Sequence, residues 1–156
     1  MVKQATIHST FVIERSLQAT PERVFAAFAD PVKKRRWFFE SDHHKLEHHE
    51  LDFQVGGKER ARMLFGAGPI AGKTITNETT YEDIVPDRRI VTAYRMTLDG
   101  SPFSVSLATI ELVATNAGTD LTLTHQGAYF EGGDGPEMRE GGWSSLLDRL
   151  ARELSR

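Results

Sequence analysis

Apolar and polar positions alternate over Ile7–Leu17, with Phe11, Ile13 and Leu17 in one phase, which predicts a strand. Thr20-Pro21-Glu22 then reads as a helix start. Threonine accepts a free amide at the N-cap, proline at the first helical position has no amide to leave unpaired, and Glu22 suits the positive helix end. Val24, Phe25 and Phe28 form the apolar stripe of this helix. Asp30-Pro31 ends it and opens a second short helix, which carries Lys33, Lys34, Arg35 and Arg36 and ends near Trp37 and Phe38. A solvated helix face is the expected setting of that basic run.

From Lys45 the pattern changes to strands. Leu46–Phe53 is strand-like but irregular, and Gly56-Gly57 is a turn. Glu59–Phe65 places Ala61, Met63 and Phe65 on one face and Arg60 and Arg62 on the other. After a glycine-rich loop (Gly66, Gly68, Pro69, Gly72), strands are predicted over Ile75–Val85, Ile90–Leu98, Phe103–Val113 and Leu121–Tyr129. Pro86-Asp87, Asp99-Gly100 and Asn116–Thr119 provide the turns between them. Gly132-Gly133-Asp134-Gly135 breaks the chain, and Pro136 opens a last helix. Trp143, Leu146, Leu147, Leu150 and Leu154 recur there at three- and four-residue spacing, with Arg149, Arg152 and Glu153 on the other side. Gly141 and Gly142 imply close backbone approach to the sheet or a shifted helix start. On the first reading, alanine at Gly142 destabilises the fold.

The order is strand, two short helices, about six hairpin-linked strands and a long helix. It predicts one α+β domain over residues 1–156, with a curved antiparallel sheet wrapped around the last helix. Such a wrap leaves space for a ligand. With 39% hydrophobic and 26% charged residues, the chain is not of the disordered class. The absence of cysteine excludes disulfides, thiolate nucleophiles and cysteine metal ligands. A net charge of -3 and a single dense basic run argue against nucleic-acid binding. No apolar run reaches the length of a signal peptide or membrane span, so a cytoplasmic protein without membrane contact is expected.

Three segments carry a resemblance. The first runs from Phe11 to Phe38 and contains Ala19-Thr20-Pro21-Glu22-Arg23-Val24-Phe25 and Arg36-Trp37-Phe38. The second is Val85-Pro86-Asp87-Arg88-Arg89-Ile90-Val91 before Tyr94. The third is Gly118-Thr119-Asp120-Leu121-Thr122-Leu123-Thr124-His125, followed by Gly142-Trp143-Ser144-Ser145-Leu146-Leu147. Together they resemble the bacterial relatives of the Hsp90 ATPase activator C-terminal domain, within the START-like, or Bet v 1-like, helix-grip superfamily. The resemblance implies a helix-grip fold around an internal cavity. It also implies a function among carriers of apolar molecules, polyketide cyclases or aromatases, and co-chaperone domains.

Strand phase nominates the cavity wall: Met63 and Phe65, Tyr94 and Met96, Ile110 and Leu112, and Leu123, His125 and Tyr129 from the last strand. Trp143 and Leu147 cover these from the helix, and Trp37 and Phe38 close one end. The expected ligand is a small hydrophobic or aromatic molecule, bound by a monomer or homodimer without a cofactor. His125 is the candidate acid or base for cyclase-like or dehydratase-like chemistry, with Tyr94 or Tyr129 orienting a carbonyl. The alternative is a histidine satisfied by a neighbouring group. His43, His44, His48 and His49, with Glu47 and Glu50, have ligand chemistry but no HExxH spacing, and no metal site is expected. Glu78 and Glu82 are expected outward or at the rim. A protein-interaction reading would use Trp37-Phe38-Phe39 as an exposed aromatic patch, but packing of the second helix is the expected role of these residues.

Overall fold

The computed structural model describes residues 6–156. Seven strands form one antiparallel sheet: β1 (Ile7–Leu17), β2 (His44–Leu51), β3 (Lys58–Phe65), β4 (Thr74–Val85), β5 (Arg89–Leu98), β6 (Ser101–Thr115) and β7 (Gly118–Tyr129). Their order in the sheet is β1-β7-β6-β5-β4-β3-β2. Consecutive hairpins therefore run from β2 to β7, and β1 closes onto β7 in unbroken register from Ile7↔Tyr129 to Leu17↔Thr119. The helices are α1 (Pro21–Ala29), α2 (Pro31–Lys34) and α3 (Gly135–Leu154). Among the described residues no helix is long and apolar enough to cross a membrane.

Both predicted helix starts have the expected chemistry. The Thr20 hydroxyl accepts from the Arg23 amide, and the Asp30 carboxylate accepts from the amides of Val32 and Lys33. The second helix does not simply stop near Trp37. It widens into a π-helical turn, Arg35–Phe39, closed by the Glu40 amide on the Arg35 carbonyl at 2.9 Å. The wider turn sends Trp37 and Phe39 into the core, and Trp37 donates to the Ala27 carbonyl at 2.8 Å. Trp37 and Phe39 thus pack inward and are not part of an exposed aromatic patch.

The irregular second strand spans His44–Leu51 and owes its irregularity to a bulge at Glu47. Leu46 opposes Met63 and His48 opposes Arg62, so the inward phase passes from His44 and Leu46 to His49 and Leu51. A second bulge, at Glu82, separates Tyr81 from Asp83. Glu82 is consequently exposed, and Glu78 is paired with Arg95 on the outer face at 3.2 Å.

Helix α3 buries Arg139, Trp143, Leu147, Leu150 and Leu154. It packs on β1 and β7, on α1 and on the π turn. Its polar side is not free. Glu153 pairs with Arg36 at 2.6 Å, and Arg149 donates to the carbonyls of Arg36 and Glu40. The basic run is likewise not a solvated face. Lys34 is buried against Glu59, Arg35 reaches His49, and only Lys33 of the four is exposed.

Glycine has two different roles here. Gly118 has φ +149°, and a Cβ there would lie 2.2 Å from the Leu17 carbonyl oxygen. At Gly142 an added Cβ meets no atom within 4 Å, which corrects the expected close approach. Gly118→Ala should therefore destabilise by about 3 kcal/mol or more, lowering Tm by roughly 10 °C. Gly142→Ala should leave stability unchanged or raise it by up to about 1 kcal/mol through helix propensity. Thermal and chemical denaturation of the two variants checks the contrast.

Candidate functional site

Because α3 leans toward β1 and β7, the inner faces of β3, β4 and β5 are left uncovered by it. A cavity of about 450 Å³ fills that gap. Its apolar wall includes Phe38, Met63, Phe65, Met96, Ile110 and Trp143. Tyr94 also lies on the wall, with Asn77, Thr79 and Thr92 adding polar groups from the sheet.

Six other expected site residues lie elsewhere. Trp37, Leu112, Leu123, His125, Tyr129 and Leu147 are buried and do not line the cavity. Leu112, Leu123, His125, Tyr129 and Leu147 face the interior in the packed region rather than at the gap. Trp37 instead packs edge-on against Phe28, with ring centres 5.0 Å apart.

His125 is wholly buried and stacked on Phe11 at 4.6 Å. The Tyr94 hydroxyl accepts from Arg139 Nη1 at 3.1 Å and from Trp143 Nε1 at 3.2 Å. Its own hydrogen is then donated to His125 Nε2 at 2.6 Å. Nε2 is therefore an acceptor and Nδ1 carries the imidazole hydrogen. Burial, aided by the nearby Arg139 charge, lowers the His125 pKa to about 4. Tyr94 thus stands between His125 and the cavity with its hydrogen-bonding capacity used. The Tyr129 hydroxyl is buried without a partner among the described residues, and burial pushes its pKa up to about 12.

Two polar hubs brace the cavity. In the first, Arg139 commits all five N–H groups. It makes a two-point contact with Asp134 at 2.8 and 2.9 Å and bonds to Ser104, Ser106 and Tyr94. In the second, Lys34 donates to Glu59 Oε1 at 2.8 Å and to the Tyr81 hydroxyl at 3.4 Å, while Nζ lies 4.6 Å from the centre of the Phe38 ring. Tyr81 donates to the same carboxylate oxygen at 2.8 Å, and His49 Nε2 meets the other at 2.9 Å. Burial opposes the Glu59 charge, but Lys34, His49 and Tyr81 outweigh it and hold the pKa at about 2.

The histidines of the second strand have separate partners: Phe39 carbonyl for His44, Glu50 for His48 and Glu59 for His49. Among the described residues no three His, Asp or Glu side chains are grouped to hold a metal ion.

Sequence reasoning missed both hubs, although a signal existed for each. Glu59 continues the inward phase of Ala61, Met63 and Phe65, and Arg139 continues the Trp143–Leu147 stripe one turn back.

The pKa directions fix the acid sensitivity. An unfolded histidine takes up a proton near pH 6.5, whereas folded His125 does so near 4. Stability present above pH 6.5 is therefore lost as pH falls toward 4, by on the order of 3 kcal/mol. Glu59 adds a loss in the same direction between its ordinary range and pH 2. Urea denaturation from pH 7.5 to 4.5 should show the first loss in the native protein and a flatter profile in His125→Gln. Glu59→Gln should cost about 3–5 kcal/mol at pH 7.5, because Lys34 loses its buried counter-charge.

A family model described as "Activator of Hsp90 ATPase homolog 1-like protein" matches residues 18–155. The crystal structure of Mll3558 from Rhizobium loti is 45% identical, with a TM-score of 0.85 over 97% of this chain and 100% of that one. A protein from Rhizobium leguminosarum is 36% identical, with a TM-score of 0.89 over 97% of each chain. An AHSA1-like protein from Aeromonas hydrophila, 20% identical, shares the fold with a TM-score of 0.69 over 94% of this chain and 92% of that one. No curated protein matches the sequence.

Proposed function

The chain belongs to the activator of Hsp90 ATPase homolog 1-like family, and from that premise we propose that it binds a small apolar or aromatic molecule in the cavity between α3 and the β3–β5 wall. The observation that carries this reading is the cavity itself. Its 450 Å³ falls within the size range of small-molecule sites, and its wall is mainly aromatic and aliphatic with a few directed polar groups. A packed core would close such a space, since interiors tolerate few voids larger than a water molecule. Here the two hubs hold the helices and the sheet apart.

Binding without chemistry by His125 is the favoured form of this reading. That imidazole does not line the cavity, and the Tyr94 hydroxyl in front of it has no hydrogen left to offer a substrate carbonyl. With Trp37 and Phe39 buried and both Phe38 and Phe39 on the cavity wall, these three aromatics do not support a docking patch for a protein.

N-phenyl-1-naphthylamine, a neutral aromatic fluorophore, is a suitable probe. It should bind at one per chain with enhanced, blue-shifted emission and with quenching of Trp143. Met96→Trp, which adds volume at the wall, should weaken binding at least tenfold while the circular dichroism spectrum and Tm stay close to native. Undiminished binding by the filled variant would contradict the assignment of the site.

A further inference from the structure

Five residues that carry full charge line the cavity: Lys34, Glu59, Asp134, Arg139 and Arg149. Four of them cancel in two closed pairs. Lys34 sits 2.8 Å from Glu59, and Arg139 grips Asp134 with two nitrogens. The donors of Arg139 are fully used, so it has none to turn toward a ligand.

Arg149 is different. It lies on the stripe of α3 that faces the cavity, in sequence with Met138, Gly142 and Leu146. Among the described residues no carboxylate lies within 4 Å of it. Its two hydrogen bonds both leave from Nη2, to the backbone carbonyls of Arg36 and Glu40. Those bonds fix the plane of the guanidinium, and Nε and Nη1 have no acceptor among the described residues. The neighbouring charges are Arg152 and Glu40; both are exposed, and neither lines the cavity. Ser41, His43 and His44 line the cavity as well and add no negative charge.

The charged lining thus sums to one uncompensated positive charge beside an apolar chamber. A neutral ligand filling the chamber would strip water from Arg149 and give nothing back. A ligand with an anionic group at that point would supply a counter-charge and an acceptor oxygen to Nη1 or Nε, a charge-assisted hydrogen bond. We infer that the cavity selects an apolar or aromatic monoanion, with the body among Phe38, Met63, Met96 and Trp143 and the anionic group against Arg149. The inference rests on the proposed ligand-binding role of the cavity and specifies the charge of the molecule held there.

A pair of probes with one skeleton separates the two claims. N-phenyl-1-naphthylamine is neutral, and 8-anilino-1-naphthalenesulfonate carries a single sulfonate on the same rings. The native protein should bind the sulfonate at least tenfold more tightly at low salt, with the preference shrinking as salt is raised. Arg149→Gln should remove the preference and keep the affinity for the neutral probe. Arg149→Lys should retain part of it. Arg152→Gln, which deletes the same charge from an exposed site on the next turn, should retain all of it. Each variant is checked for a native melting transition, because the sulfonate also reports on loosened folds. Equal affinity of the native protein for the two probes, or a preference that survives in folded Arg149→Gln, would overturn the anion assignment while leaving the cavity as a binding site. Failure of both probes to bind would overturn the binding role itself.

Discussion

The buried guanidinium of Arg139 sets how α3 stands on the sheet. It joins the first turns of the helix to β5 through Tyr94 and to β6 through Ser104 and Ser106, and Asp134 balances its charge. A buried cation tolerates little rearrangement, since each lost partner leaves a desolvated donor behind. The apolar stripe from Trp143 to Leu154 then settles the rest of α3 over β1 and β7. One helix so placed cannot also cover β3, β4 and β5, and the cavity is the consequence.

The opposite jaw is held by the Lys34–Glu59 pair. It ties α2 to β3, and Tyr81 and His49 extend the tie to β4 and β2. Such a pair contributes little net stability over an apolar replacement, but it admits only one arrangement of its partners. Here that arrangement keeps both Phe38 and the more deeply buried Phe39 on the cavity wall. The π turn assists by bringing Trp37 and Phe39 inward within five residues. The two hubs are closed networks, and closure is what permits charged groups to border an apolar space without filling it.

Strand phase and helix periodicity were enough to read the sheet, its hairpins and the long helix, because those patterns record which face of each element is buried. They do not record where along a face the helix lies. Leu123, His125 and Tyr129 point to the interior, as their phase requires, yet β7 lies beneath α3 and away from the gap. Met63, Phe65 and Met96 have the same kind of phase and reach the cavity because β3 and β5 are not covered. The bulge at Glu47 hid the inward turn of His49, since one extra residue exchanges the two faces of a strand. Lys34, Glu59 and Arg139 were hidden by their chemistry: a charged residue in an apolar phase reads as an interruption until its partner is known.

The central claim is that this interior space receives a small apolar molecule. Met63, Met96 and Met138 all line it, from β3, β5 and α3, so their methyl groups report on the cavity from three directions. Methyl-labelled methionine spectra recorded during titration with N-phenyl-1-naphthylamine test the claim most directly. The account predicts that all three resonances move together and saturate at one probe per chain. Resonances that stay fixed while the probe binds elsewhere, or that never respond, would contradict it.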